Sequence, residues 1–148
     1  KEFAADPGKW LCMSGSPGIG KTHMCMGIAN ELGTMCLYMT AGDFQKHYFD
    51  ALRSNNLGDM SKSIETAPVL IIDDYGSAHT IPAVQAYLRG IIQARYEMWE
   101  FFPTVIVTNL SMAEFAQDDA RIYSRMSDTE KSTWVGCDIG DYRLLEKK

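Results

Sequence analysis

The string Gly15-Ser16-Pro17-Gly18-Ile19-Gly20-Lys21-Thr22 constrains this chain more than any other feature. A short apolar run, Trp10-Leu11-Cys12-Met13, precedes it, and a stretch from Lys21 to Leu32 that reads as a helix closed by Gly33 follows it. A strand that passes through a glycine-rich bend into a helix admits few architectures. The glycines let the backbone curl closely, so that successive N–H groups converge on one anion, and the helix adds its positive end. Lys21 and Thr22 stand where an ammonium and a hydroxyl can join them.

The rest of the chain repeats the alternation. Strand candidates are Met35–Met39, Val69–Ile72, Thr104–Thr108 and the region from Trp134 to Ile139. Asp43 is expected to cap a helix that places Phe44, His47, Tyr48, Ala51 and Leu52 on one face. Ser54 to Ser63 reads as a polar connection, and Pro82 as the first turn of another helix. In that helix Val84, Leu88, Ile91, Arg95 and Met98 or Trp99 follow the 3.6-residue period, with Arg95 expected to snorkel. Five short strands separated by helices predict an α/β domain with a mostly parallel sheet covered on both faces. At 148 residues the expectation is one domain spanning 1–148. Such sheets bind ligands at the carboxyl ends of their strands.

Those strand ends carry the chemistry. Val69–Ile72 leads into Asp73 and Asp74, a carboxylate pair at the expected ligand edge. Asp73 with the Thr22 hydroxyl would hold the shell of a Mg²⁺ ion, and Asp74 would polarise an attacking water. Val105-Ile106-Val107-Thr108 ends in Asn109, a neutral amide suited to orienting that water. His23, directly after the bend, can line the same edge. Thus Gly15 to His23 form the candidate nucleotide loop, with ATP or ADP and Mg²⁺ as the expected ligands.

Composition narrows the classes. Apolar residues at 46% and charged ones at 22% are those of a globular chain. Val69–Ile72 is the longest aliphatic run, far short of the ~20 residues that span a bilayer, so no membrane role is expected. A net charge of −5 argues against a duplex-DNA binder driven by charge. Cys12, Cys25, Cys36 and Cys137 show no Cys-x-x-Cys pairing and read as free thiols of a reducing compartment, the cytoplasm. No apolar signal segment opens the chain, and a start at Lys1 suggests an excised domain.

Gly15–His23, the Leu70-Ile71-Ile72-Asp73-Asp74 strand end, Val107-Thr108-Asn109 and the segment Arg121-Ile122-Tyr123-Ser124-Arg125-Met126 stand in the order found in AAA+ ATPases. In detail, with Gly140-Asp141-Tyr142-Arg143 at the close, the chain resembles the DnaC/DnaI helicase-loader and IstB transposition-helper group. The resemblance implies a three-layer P-loop NTPase fold with sheet order 5-1-4-3-2; the chain departs from the family in stopping where its lid would begin, so the lid is expected to be absent or minimal. The resemblance also implies self-association through ATP sites held between neighbouring subunits. Arg125 matches the position of the arginine that one protomer offers to its neighbour's γ-phosphate, with Arg121 the alternative. Arg143 matches either a second nucleotide contact or a strand end. Loaders of this group carry an N-terminal region that grips a replicative helicase, so this chain is expected to be the C-terminal part of a longer protein. The interval Gly42 to Pro68, with Lys46, Tyr48, Arg53 and Lys62, corresponds to the group's single-stranded DNA contact, here expected to be weak. Phe3 and Trp10 are candidates for the adenine side.

The resemblance therefore implies an assembly-dependent ATPase that loads a replicative helicase, with an IstB-like transposition helper as the alternative. A P-loop small-molecule kinase and an adaptor switched by binding alone are the rivals from other classes. The paired Asp73-Asp74 and the Thr108-Asn109 strand end favour water as the phosphoryl acceptor.

Overall fold

Apolar side chains occupy consecutive positions along the central strands, so both faces of the sheet need a cover. The computed structural model, which describes residues 2–76 and 80–137, provides it. Helix α1 (Glu2–Ala5) precedes β1 (Trp10–Gly15), and α2 (Lys21–Leu32) runs through a 3-10 turn at Gly33–Met35 into β2 (Cys36–Thr40). Then follow α3 (Ala41–Arg53), α4 (Leu57–Glu65), β3 (Val69–Tyr75), α5 (Pro82–Glu97), β4 (Thr104–Thr108), α6 (Met112–Asp118), α7 (Ala120–Met126) and β5 (Ser132–Cys137). All pairings are parallel and the order is β2-β3-β4-β1-β5, the expected 5-1-4-3-2 read from the other edge.

Strand alternation divides the core in two. Met13, Val69, Ile71, Val105 and Val107 face α2 through Cys25, Ile28 and Leu32. Cys12, Leu70, Ile72 and Ile106 face the other layer, where Phe44, Ile64, Leu88, Ile92, Phe115 and Ile122 meet them. Cys12 and Cys25 are buried free thiols and Cys36 a half-buried one. Burial pushes the Cys25 thiol up to about 12, with Asp73 and then Cys36 adding to the rise, so it stays protonated. No described helix is long and apolar enough to cross a membrane.

Several local expectations change. Thr40, not Asp43, is the cap of α3: the Asp43 amide donates to Thr40 Oγ1 at 3.0 Å, and the Thr40 amide donates to the Asp43 carboxylate at 3.0 Å. This reciprocal pair starts the helix at Ala41. Its buried face is Phe44 and Ala51 with Tyr48 half-buried, whereas His47 and Leu52 face solvent. The expected polar connection from Ser54 to Ser63 is mostly α4, which runs on to Glu65 and whose single buried residue, Ile64, left too thin an apolar signal. The fifth strand starts at Ser132, ahead of Trp134. Ile139 and the Gly140–Arg143 segment, Arg143 included, lie outside the described residues, as does the side chain of Cys137.

Arg95 does not snorkel. It is 1% exposed, and its guanidinium donates to Thr104 Oγ1 (2.9 Å) and to the carbonyls of Ile64, Glu65, Ala67 and Pro103 at 2.8–3.0 Å. Each bond offsets part of the cost of burying the charge. Burial still lowers its pKa to about 10, which leaves it charged at neutral pH. It ties the end of α4 to the starts of β3 and β4.

Asp119, 4% exposed, does the same on the ligand side. Its carboxylate accepts from the Tyr75 hydroxyl at 2.7 Å, from Arg89 Nε, and from the Ile122 amide at 3.2 Å. The end of β3, the middle of α5 and the first turn of α7 thus share one anion, which fixes the helix that carries Arg121 and Arg125.

Candidate active site

The loop between β1 and α2 takes its shape from backbone freedom. Gly18 (φ 86°) and Gly20 (φ 96°) adopt left-handed conformations that a side chain would resist. Gly20 is also the cap of α2, whose first turn carries no acidic residue, so the positive helix end has no carboxylate of its own. Lys21 is 5% exposed, and its ammonium donates to the carbonyls of Gly15 (2.6 Å) and Ser16 (2.9 Å). These bonds hold the charge over the bend.

Across the cleft, β3 ends irregularly. Its pairing with β4 steps from Ile72↔Ile106 to Tyr75↔Thr108, so β3 carries one extra residue there, a bulge. Asp74 sits inside it with φ 58°, a left-handed conformation outside glycine. The sequence placed the strand end at Ile72; the strand instead continues through both acids to Tyr75, and the bulge turns Asp74 towards the next strand. There the Asn109 amide nitrogen donates to Asp74 Oδ1 at 2.9 Å. Asp73 is 5% exposed; its Oδ1 accepts the Asp74 amide and its Oδ2 the Tyr38 hydroxyl, both at 2.8 Å. Burial first, and then the Asp73 carboxylate, pushes the Tyr38 hydroxyl above its usual pKa, so it remains a donor.

One cleft of about 760 Å³ gathers these parts: Pro17 to Met24 on one wall, and Asp73, Asp74, Val107, Thr108 and Asn109 on the other. Of the residues expected at the site, Pro17, Gly18, Ile19, Gly20, Lys21, Thr22, His23, Asp73, Asp74 and Asn109 line it, and Gly15 and Ser16 stand behind it as carbonyl partners of Lys21. Thr22 and His23 are exposed to its interior side. The donor set fits Mg²⁺. The Thr22 hydroxyl and the Asp73 carboxylate are hard oxygens, and Mg²⁺ typically takes one or two protein oxygens, phosphate oxygens and water.

Arg125 is elsewhere. It lines a separate hollow of about 430 Å³ with Gln93, Tyr96, Asp128 and Lys131. Its guanidinium lies 5.5 Å from the Tyr96 ring centroid and donates to the Arg121 carbonyl at 2.8 Å, while Arg121 itself is exposed. Tyr48 packs against Tyr87 (5.2 Å) and Phe49 (5.6 Å), so its ring is not an open stacking surface; Lys46, Arg53 and Lys62 are exposed. Trp10 is fully buried against Tyr96, so its ring has no open face, and it stands at the wall of the same hollow as Phe3. Phe3 lines an apolar hollow of about 1010 Å³ that shares Met24 with the cleft.

Two partners escaped the sequence reading, Tyr38 and Asp119. Strand register finds the first: Tyr38 pairs with Ile71, two residues before Asp73 and on the same face. The second carries only a local cap signal, its bond from the Ile122 amide at the start of α7; its other two partners, Arg89 and Tyr75, are 30 and 44 residues away.

The replicative helicase loader DnaI of Bacillus subtilis (strain 168) is 30% identical over 112 residues, covering 72% of this chain and 35% of DnaI. The insertion sequence IS5376 putative ATP-binding protein of Geobacillus stearothermophilus is 30% identical over 141 residues, 90% of this chain and 55% of that protein. The chain thus spans between about a third and a little over half the length of these relatives. The crystal structure of the DnaC helicase loader superposes with a TM-score of 0.75 at 23% identity, covering 93% of this chain and 85% of that one, and so shares the fold. Residues 11–126 match the ATPase family associated with various cellular activities (AAA), and the chain belongs to that family.

Proposed function

We propose that this chain is the Mg²⁺-dependent ATP-hydrolysing unit of a DnaC-like replicative helicase loader, and that residues 1–148 act as one ATP-binding domain. One observation carries the reading: the glycine loop with Lys21, the carboxylates Asp73 and Asp74, and Asn109 line a single cleft at the carboxyl ends of β1, β3 and β4. The phosphates of ATP lie on the amides of Gly15 to Thr22, with Lys21 turning its ammonium from the Gly15 and Ser16 carbonyls to the β- and γ-oxygens. Thr22 and Asp73 would hold Mg²⁺, which would supply positive charge against the phosphate oxygens. Asp74 accepts a proton from water as its oxygen bonds to the γ-phosphorus and the bridge to the β-phosphate breaks, and Asn109 holds that water against Asp74. The base of the nucleotide lies towards Phe3 and Met24.

Arg125 serves the neighbouring protomer. Within its own chain it is not among the cleft residues, which supports delivery in trans. In this reading α7, which carries Arg125 and the exposed Arg121 one turn earlier, is the face that meets the next subunit's nucleotide. Partners are the replicative helicase and, weakly and with strong salt dependence, single-stranded DNA through Lys46, Arg53 and Lys62 on α3 and α4. The likeness to the IS5376 protein over 90% of the chain favours a transposition helper as the second reading. Co-elution with a purified replicative helicase in the presence of ATP, and not with a transposase, supports the loader; the reverse supports the helper.

The trans role is tested by steady-state hydrolysis as protein concentration rises. Wild type accelerates on assembly, by up to ~10³–10⁵-fold for a fully engaged arginine, and Arg125→Ala binds ATP but does not accelerate. An Arg125→Ala protein with full acceleration, beside an Arg121→Ala protein without it, moves the role to Arg121; acceleration in both removes it from α7.

A further inference from the structure

Asp73, read above as the residue that holds Mg²⁺, takes one neutral donor on each oxygen. The Asp74 amide reaches Oδ1 and the Tyr38 hydroxyl reaches Oδ2, each at 2.8 Å. The first donor belongs to the next residue and comes with the strand. The second crosses from β2 and depends on one side chain. Register makes the contact available: Thr40 is opposite Asp73 and Tyr38 opposite Ile71, so alternation puts Tyr38 and Asp73 on the same face, one pair apart. Asp73 is 5% exposed, so water competes poorly with the phenol for Oδ2.

The Tyr38 ring packs against the α2-side core together with Leu11 and Cys36. An aliphatic residue would cover that core equally well. What only tyrosine adds is a hydroxyl at the carboxylate. Two donors, one per oxygen, fix the carboxylate plane and yet use only two of its about four lone pairs, which leaves others for a cation. An outer donor that holds a ligand in its binding orientation spares the metal the entropy of ordering it, and removal of such a donor typically costs 10–100-fold in metal affinity.

We propose that Tyr38 is a positioning residue for the Mg²⁺ of this site, acting through Asp73 Oδ2 and making no contact with nucleotide. The inference rests on the assignment of Asp73 as metal holder. The test titrates Mg²⁺ into the chain with a fluorescent non-hydrolysable ATP analogue, and reads nucleotide affinity against free Mg²⁺ for wild type, Tyr38→Phe and Asp73→Asn. Tyr38→Phe keeps the ring, so its Mg²⁺ half-saturation rises about 10–100-fold while affinity in excess EDTA stays within about twofold. Asp73→Asn loses the Mg²⁺ stimulation. A wild-type Mg²⁺ dependence in Tyr38→Phe, beside its loss in Asp73→Asn, overturns the role of Tyr38. A wild-type dependence in Asp73→Asn overturns the assignment beneath it. An equal fall in affinity with and without Mg²⁺ in Tyr38→Phe makes the contact structural and also overturns the proposal.

Discussion

Asp74 joins two facts that belong to the same cause. It sits at φ 58° inside the bulge of β3, and its carboxylate meets Asn109 at 2.9 Å. A left-handed backbone outside glycine is a cost that the surrounding sheet must hold, and it recurs where a side chain has to be aimed. Asn tolerates the left-handed region as well as Asp does, so Asp74→Asn separates shape from chemistry. In that variant hydrolysis falls by about 10²–10⁴-fold while the unfolding temperature moves by no more than about 2 °C. Phosphate release and a thermal melt on one preparation check this, and turnover at the wild-type rate removes Asp74 as the base. The identity of the residues at the cleft was legible in the sequence because their work is local: Gly18 and Gly20 bend their own backbone, and Asp73, Asp74 and Asn109 follow directly on the aliphatic runs that form β3 and β4. The bulge was not legible, since nothing in Val69–Tyr75 signals that the ladder with β4 will skip.

At the scale of elements, caps and buried anchors decide where helices begin and how they lie. Thr40 with Asp43 and Ser111 with Glu114 form the same reciprocal box at the starts of α3 and α6, and Asp128 accepts from the Tyr96 hydroxyl after α7. The hydrogen bond from Thr40 holds the Asp43 carboxyl below its ordinary 3.8, backbone donation at Ser111 holds Glu114 below 4.5, and the Tyr96 hydroxyl does the same to Asp128. Groups depressed in the folded state contribute stability that is complete above their unfolded values and is lost as pH falls through the folded ones. Stability is therefore flat with respect to these three above about pH 5 and declines below about pH 4. Asp43→Asn makes the decline shallower in urea titrations from pH 6 to pH 3; an unchanged acid limb shows that the cap does not drive it. Arg95 acts on a larger scale. Arg95→Ala strips donors from four carbonyls and Thr104 and leaves a cavity, a loss of about 3–5 kcal/mol in denaturant unfolding, and a loss below about 1 kcal/mol contradicts the anchoring role. The 3.6-residue period found α5 and counted Arg95 on its buried side, but period alone cannot tell a head group in water from one among carbonyls 28 to 31 residues away. The same limit hid α4, which buries one residue.

For the whole molecule, the order β2-β3-β4-β1-β5 is what brings distant stretches to one edge. It sets β4 between β1 and β3, so the loop at Gly15–Thr22, the acids 58 residues and more downstream in β3, and Asn109 after β4 open on a common cleft. Alternation of strands and helices made a covered parallel sheet legible, and the order itself came through the resemblance of Gly15–His23, the Asp73-Asp74 strand end and Val107-Thr108-Asn109 to a family. What neither supplied was the tie between the end of β3 and α7. Asp119 links Tyr75, next to Asp74, with the helix of Arg121 and Arg125, a connection that exists only once the sheet has formed. The proposed chemistry requires a magnesium nucleotide seated between Lys21 and Asp73. Calorimetric titration of MgATP into wild type and Lys21→Ala tests that most directly. Wild type takes up MgATP saturably at one site, and removal of the ammonium lowers affinity by about 10–100-fold, the worth of one or two charge-assisted bonds to phosphate. Heat of binding that is absent in wild type, or equal in Lys21→Ala, contradicts this seating.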